Sequence, residues 1–252
     1  MSAEADLICG PHAVLAALKS HPRAVSAVWI SDTRADHRIR EIIATAQEAR
    51  VKFHRVPRAR LDQMAGDLTH QGVLARAQPE SVLVERELPE FLKKLNHAAL
   101  LLVLDGIQDP HNFGACLRSA NAAGVDAVVV PRDRAAPLSA AARRAAAGAA
   151  EATPVFRVIN LARALRTLKD AGIWLIGAAQ DETRTLYDAD LRGPTALILG
   201  GEGRGLRRLI REHCDLRVSI PMSGAVESLN VSVAAGICLF EVLRQRRAAT
   251  SD

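Results

Sequence analysis

Apolar residues follow two different patterns along this chain. From residue 6 to about 76, short apolar runs (LIC, AVSAVWI, VKFHRV, GVLARA) alternate with helical patterns such as PHAVLAALKS and DHRIREIIATAQEA. That alternation predicts a compact α/β unit of about 75 residues. Beyond residue 98 the runs become uniformly apolar: ALLLVLD (99–105), DAVVVP (126–131), IWLIGAA (173–179), TALILGG (195–201) and LRVSIPM (216–222). Strands without a polar face are covered on both sides, so this half predicts a parallel sheet between layers of helices. The helices are expected in FGACLRSANAAG, in the Ala-rich LSAAARRAAAGAAE, in NLARALRTLKDAG and in the final segment from Ser228. Between the halves, QPESVLVERELPE is rich in Pro and Glu and lacks a period, as a linker does. The expected organisation is a small domain over 1–76, a linker over 77–97 and a larger domain over 98–252. The last helix is apolar almost all the way round, so it must be buried and needs a second surface, which argues for a symmetric dimer contact.

Composition narrows the class. With 252 residues, 49% of them hydrophobic, the chain can fill one large core or two modest ones. Lys and Arg number 33 against 28 acids, a net +5 that suits a polyanionic partner without demanding one. The excess is clustered: Arg55, Arg58 and Arg60; Arg143 and Arg144; Arg244, Arg246 and Arg247. Aromatic residues make up only 3%, which argues against an aromatic platform for stacking bases. No apolar run reaches the roughly 18 residues of a membrane span, and the start is not leader-like, so a cytoplasmic protein is expected. Cys9, Cys116, Cys214 and Cys238 are far apart without ligand spacing, which predicts neither disulfides nor a metal site.

Parallel α/β sheets bind their ligands at the carboxyl ends of strands, and three strands here end in polar or Gly-rich loops. In LDGIQDPHNFGACLRSA, Pro110 stops the extended segment and Asn112 falls where a helix N-cap is expected. Gly114 and Arg118 share a helix face, so the missing side chain lets a substrate approach the guanidinium. A cap, a packing gap and a surface charge would explain the same trio, and both readings stay open. His111 is a minor candidate base beside a turn. In LILGGEGRGL (197–206), four glycines in six residues uncover backbone N–H groups around one acid, Glu202. A dinucleotide fingerprint belongs at a first strand, and too little chain follows this loop to build a nicotinamide-binding half. In the third stretch, Ile220, Pro221 and Met222 finish a strand, SGAVE turns, and Ser228 is expected to cap the final helix. That leaves Asn230 and Ser232 unexplained in its first turn.

In this order and at these separations the loops resemble the SpoU (TrmH-type) ribose methyltransferases of the SPOUT superfamily. The N-x-G-x-x-x-R motif appears as Asn112, Gly114 and Arg118, and G-x-E-x-x-G as Gly200, Glu202 and Gly205. The third motif appears as Ile220, Met222, Ser228, Leu229, Asn230, Val231 and Ser232. The likeness covers 99–247, and the segment ending in THQGVLA (69–75) looks like the family's small substrate-binding domain. GAAE (148–151) and REHCD (211–215) favour the branch that modifies a guanosine of 23S ribosomal RNA. Gly201 departs from the pattern, since relatives often carry alanine or asparagine there, and a change in loop stiffness is expected.

The resemblance implies a carboxy-terminal trefoil knot, a rare exception to un-knotted connections, and a homodimer formed through the last helix. It also implies S-adenosylmethionine as methyl donor, lying against Gly200, Ile220 and Leu229 with Met222 and Val231 nearby. The implied catalytic set is Asn112, Arg118, Glu202 and Asn230. Family accounts make the arginine a base, yet a guanidinium has no free lone pair. Arg118 is therefore expected to place a phosphate and stabilise developing alkoxide charge, with the other three arranging it and the ribose. Arg55, Arg58, Arg60, His70 and Gln71 of the small domain are expected to grip folded RNA by its phosphates and shape. Rival readings are a transfer-RNA ribose methyltransferase and a non-catalytic RNA-binding protein on the same scaffold; the second expects a broken motif, and none is broken.

Overall fold

The computed structural model describes residues 6–20, 22–66, 68–77, 83–201 and 205–249. The chain forms two compact units, one from residues 1–81 with 146–152, the other from 82–145 with 153–252.

In the first unit the elements run β1 (Asp6–Cys9), α1 (Pro11–Ser20), β2 (Val25–Ser31), α2 (His37–Glu48), β3 (Lys52–Val56), α3 (Arg58–Ala65) and β4 (Val73–Ala77). The sheet order is β1-β4-β2-β3, with β4 antiparallel to both neighbours and β2 parallel to β3. Strand alternation sorts the side chains onto two faces. Ile8, Val28, Ile30, Val73 and Ala75 bury against Val14, Leu18, Ile39 and Ile42 of α1 and α2. On the opposite face Leu74 packs with Leu61 and Ala65 of α3. Asp36 caps α2, accepting from the Arg38 and Ile39 amides.

The second unit holds β5 (Leu83–Val84), α4 (Leu88–Lys93), β6 (Leu100–Asp105), α5 (Pro110–Ala122), β7 (Ala127–Pro131), α6 (Ala140–Ala146), β8 (Val155–Val158), α8 (Leu161–Asp170), β9 (Trp174–Ala178), β10 (Thr195–Gly200), α9 (Arg208–His213), β11 (Leu216–Val218) and α10 (Val231–Ala249); α7 (Ala149–Ala152) belongs to the first unit. Seven strands pair in the order β11-β9-β10-β6-β7-β8-β5, every pair parallel. One face packs on α4, α8 and α9 through Leu101, Val103, Ile198, Leu165, Leu168 and Ile210. Helices α5 and α10 pack on each other, and α10 on β10.

Several expectations change. The 77–97 segment is no simple spacer: from Leu83 it forms an edge strand, and Leu88 and Leu92 of α4 enter the core. Glu85 secures it, accepting from the Ile159 and Asn160 amides at 3.0 and 3.3 Å and pairing with Arg163. The Ala-rich stretch breaks into α6 and α7 because Ala147 and Gly148 have φ of 51° and 96°. Ile220 to Met222 do not finish a strand. β11 ends at Val218, and Ser219 instead bridges Thr185, with Ser219 N donating to Arg184 O and Leu186 N to Ser219 O at 2.9 and 2.8 Å. None of the four cysteines forms a disulfide, and burial pushes the Cys238 thiol up to about 12. Among the described residues no helix is long and apolar enough to cross a membrane.

Candidate active site

The site lies at the carboxyl edge of the second unit's sheet, where β6 and β10 end side by side with Gly200 in register with Asp105. β6 leads into α5, and the N-cap there is Asp109, whose carboxylate accepts from the His111 and Asn112 amides at 3.1 and 3.3 Å. Asn112 is therefore not the cap. Pro110, with no amide to satisfy, takes the first helical position, and Asn112 sits two residues further in. Its Oδ1 accepts from Asn230 Nδ2 at 2.9 Å, a bond between residues 118 apart in sequence. Asn230 is the residue that caps α10: its Oδ1 accepts from the Ser232 amide at 2.9 Å and from Ser232 Oγ at 2.6 Å. With Oδ1 committed to those donors, Nδ2 is turned toward Asn112. Ser228, expected as the cap, lies in the exposed run 221–228.

Arg118 is exposed and makes no hydrogen bond or ion pair among the described residues. Helical side chains lean toward the helix N-terminus, and in α5 that end holds Asn112. Gly114 is buried inside α5. His111 is exposed in the first turn.

After β10 the main chain doubles back. Gly201 N donates to Asp105 O at 2.9 Å and Gly205 N to Gly201 O at 3.0 Å, with Gly205 at φ 58°. A Cβ on Gly200 would sit 2.0 Å from Gly205 C, and one on Gly201 2.6 Å from Gly106 O. Gly201 thus does more than soften the loop, because it lets two strand ends touch. Glu202 lies outside the described residues.

Sequence reasoning missed the pair that holds this turn. Asp105 is buried, and its carboxylate takes Arg207 Nε at 2.8 and 3.0 Å, Nη2 at 2.5 Å and the Arg207 amide at 3.3 Å. The signal was present as an acid ending an otherwise apolar strand and an arginine just past the glycines. A second clamp fastens the 179–186 loop. Arg211 Nη2 meets Asp181 and Glu182 at 2.9 and 2.8 Å, and Arg217 Nε meets Glu182 at 3.0 Å. The Arg211 hydrogen bond holds the Asp181 carboxyl below its usual range.

Of the residues expected around a methyl donor, Ile220 and Leu229 are half-buried, Met222 is exposed and Val231 is buried in the first turn of α10. Main-chain groups from Ile220 to Leu229 make no hydrogen bond among the described residues. Unpaired peptide groups between two half-buried aliphatic side chains fit a nucleoside held by main-chain contacts.

The proposed RNA-binding residues lie on the first unit. Arg55, Arg58 and Arg60 are exposed; Arg55 also donates to Arg34 O at 2.8 Å, and Arg60 to Gln63 at 2.6 Å. His70 is a correction. It is buried, its Nδ1 accepts the Gly72 amide at 3.0 Å and its Nε2 meets Asp62 at 2.8 Å, so the ring shapes the turn and offers no edge to a partner. Gln71 is exposed at φ 47°, and its carbonyl accepts from Arg34. Arg244 and Arg246 are structural too, pairing with Glu241 and with the Ala98, Ala99 and Gly193 carbonyls.

A parallel sheet with its polar loops gathered at the carboxyl edge, a tightly packed glycine turn and an asparagine pair define a ligand-binding α/β domain. The chain belongs to the SpoU rRNA Methylase family, whose sequence profile matches residues 99–240. A second profile, RNA 2′-O ribose methyltransferase substrate binding, matches residues 7–83. Among curated relatives, the 23S rRNA (guanosine-2′-O-)-methyltransferase RlmB of Pseudomonas aeruginosa is 49% identical over 241 residues, 96% of this chain and 97% of the relative. Its Escherichia coli counterpart is 48% identical, over 96% and 99%. Among solved structures, the SpoU methyltransferase AviRb from Streptomyces viridochromogenes in complex with the cofactor AdoMet is similar with a TM-score of 0.78 and 26% identity, covering 98% of this chain and 92% of that one. An RNA 2′-O ribose methyltransferase gives 0.75 and 27%, over 97% and 90%.

Proposed function

We propose that this protein transfers a methyl group from S-adenosylmethionine to the ribose 2′-hydroxyl of a guanosine in 23S ribosomal RNA, in the cytoplasm and as a homodimer. The observation that carries the reading is the Asn112–Asn230 hydrogen bond, which joins the first and third motifs beside the glycine turn of the second. The relatives' named activity supports the substrate.

S-adenosylmethionine supplies an electrophilic methyl group on a sulfonium. Holding a hydroxyl about 3 Å from that carbon, in line with the sulfur, accounts for most of what such a displacement requires. The main chain at Gly200 and between Ile220 and Leu229 would hold the nucleoside, with exposed Met222 in the same run. Asn112 and Asn230 fix each other's amides and through them the ribose. Arg118, with no competing partner among the described residues, takes a phosphate and stabilises the charge that grows on the 2′-oxygen. Glu202, which lies between Gly200 and Gly205 in sequence, is assigned to the same set.

The reading includes a trefoil knot, supported by the bonds of Ser219 to Arg184 and Leu186 that lay the final segment along an earlier loop. It assigns dimerisation to α10, where Val233 and Phe240 are 50% and 49% exposed seven residues apart. It assigns RNA binding to the small domain, with Arg55, Arg58, Arg60 and Gln71 contributing. Tritiated S-adenosylmethionine offered with 23S fragments and with transfer RNA tests the substrate. Label is expected in the ribosomal fragment, as a 2′-O-methylguanosine. Label in transfer RNA alone would move the protein to that substrate, and label in neither would end the proposal.

A further inference from the structure

The scarcity of aromatic residues argued against base stacking, yet one tryptophan lies in an unusual setting. Trp29 on β2 is in register with His54 on β3, and the two rings stack with centroids 6.0 Å apart at 25°. The Arg76 guanidinium lies over the Trp29 ring, 5.3 Å from its centroid. One step along the same face, Ala27 pairs with Lys52 on one side and Arg76 on the other. The two-residue period of strands sets Leu7, Ala27, Trp29, Lys52, His54 and Arg76 on one face. None of them is acidic.

Helix α3 covers only part of that face, in a cluster that takes in Leu74, Leu7, Cys9, Val56 and Trp29. Beyond its edge Lys52, His54 and Arg76 are exposed and Trp29 is half-buried. A tryptophan kept purely for packing is covered by aliphatic side chains. This one is flanked by an imidazole and a guanidinium that face solvent, beside Lys52, which makes no ion pair among the described residues. Flat rings in a row with two cations match an unpaired nucleotide, whose base has a π face and whose phosphate is anionic.

We infer that this open half-face of the small unit binds a single-stranded stretch of RNA, one base stacking on the outer side of the His54 ring and neighbouring phosphates meeting Lys52 and Arg76. The inference rests on RNA being the substrate and adds the surface that holds it. Stacking tolerates any base, so the face supplies grip and leaves the choice of guanosine to the methyl-transfer site.

The chain has two tryptophans, and the other, Trp174, is 60% exposed at the start of β9. In a Trp174→Phe background, emission reports Trp29 alone. Titration with a short oligouridylate is expected to quench it. Adding Lys52→Gln and Arg76→Gln is expected to raise the midpoint about tenfold and to flatten the dependence of log K on log salt by about 1.4, at roughly 0.7 per single-strand phosphate contact. In methyl transfer the same pair is expected to raise KM for RNA with kcat retained, and His54→Ala is expected to reduce the quench. Wild-type KM and quenching in these variants would overturn the inference while leaving the methylation reading intact. Equal quenching by polyglutamate would also overturn it, since charge alone would then suffice. If no RNA is methylated by the wild type, the functional reading falls, and the Trp29 titration still judges this surface on its own.

Discussion

Gly200→Ala tests the turn on which the site depends. The new Cβ would sit 2.0 Å from Gly205 C, 2.1 Å from Gly205 O and 2.3 Å from Leu206 N, whereas ordinary contact begins at 3.4 Å. The deficit is 3.4 less 2.0, or 1.4 Å, and backbone atoms must supply it. Gly200 cannot give way, because β10 is held between β6 and β9. The returning strand must move, yet Leu206 is buried and Arg207 is tied to the buried Asp105 carboxylate. A displacement of about 1 Å in a site that works by positioning costs on the order of 100-fold in rate. Gly205→Ala is the control: its φ of 58° costs about 1–2 kcal/mol of backbone strain, but no atom lies within 4 Å of the added methyl. Initial rates of RNA methylation, with calorimetric titration of S-adenosylmethionine, should therefore show Gly200→Ala losing about two orders of magnitude and binding the donor poorly. Gly205→Ala should keep most of both. Near-normal turnover by Gly200→Ala, or equal damage from the two substitutions, would refute the reasoning.

Asn112→Ala removes the acceptor for Asn230 Nδ2, a hydrogen bond worth about 1 kcal/mol; single-turnover rates should fall at least roughly fivefold with donor affinity retained. Phe240→Glu places a charge on the exposed apolar pair Val233 and Phe240 of α10, and if α10 forms the proposed dimer contact, light scattering should show a dimer turning into a monomer. Glu85 has its pKa lowered from 4.5, chiefly by the Arg163 hydrogen bond. A folded value below the unfolded one means that its stabilisation is complete above about pH 4.5 and is lost as pH falls through the folded value. Glu85→Gln should therefore melt at a lower temperature than wild type at pH 7, with the difference shrinking on acidification toward pH 4.

The large sheet was legible because its strands carry no polar face, and burial on both sides leaves that mark in the sequence itself. Capping was legible only as chemistry. Asp109 and Asn112 both suit an N-cap, as do Ser228 and Asn230; what decides the first is Pro110, which fits the first helical position, and the second is the Ser232 amide, which donates to Asn230 Oδ1. The Ala run read as one helix because propensity carries no information on where Ala147 and Gly148 reverse their φ. His70 read as a partner-facing residue because nothing local shows that Asp62 and the Gly72 amide already occupy its ring.

The Asp105–Arg207 pair shows where reading from sequence stops. The two residues are separated by 102 positions, and neither belongs to a recognisable motif. Their meeting depends on β10 inserting beside β6, and only then does a buried carboxylate require a donor. The same insertion brings Gly201 against Gly106, so one strand placement fixes both the turn and the charge that pins it. The glycines make close approach possible, and the ion pair makes it stay. This division of labour explains why the glycines could be found by inspection while the pair could not. A glycine cluster is conspicuous wherever it falls, whereas an aspartate at a strand end acquires meaning only from the strand that comes to lie next to it.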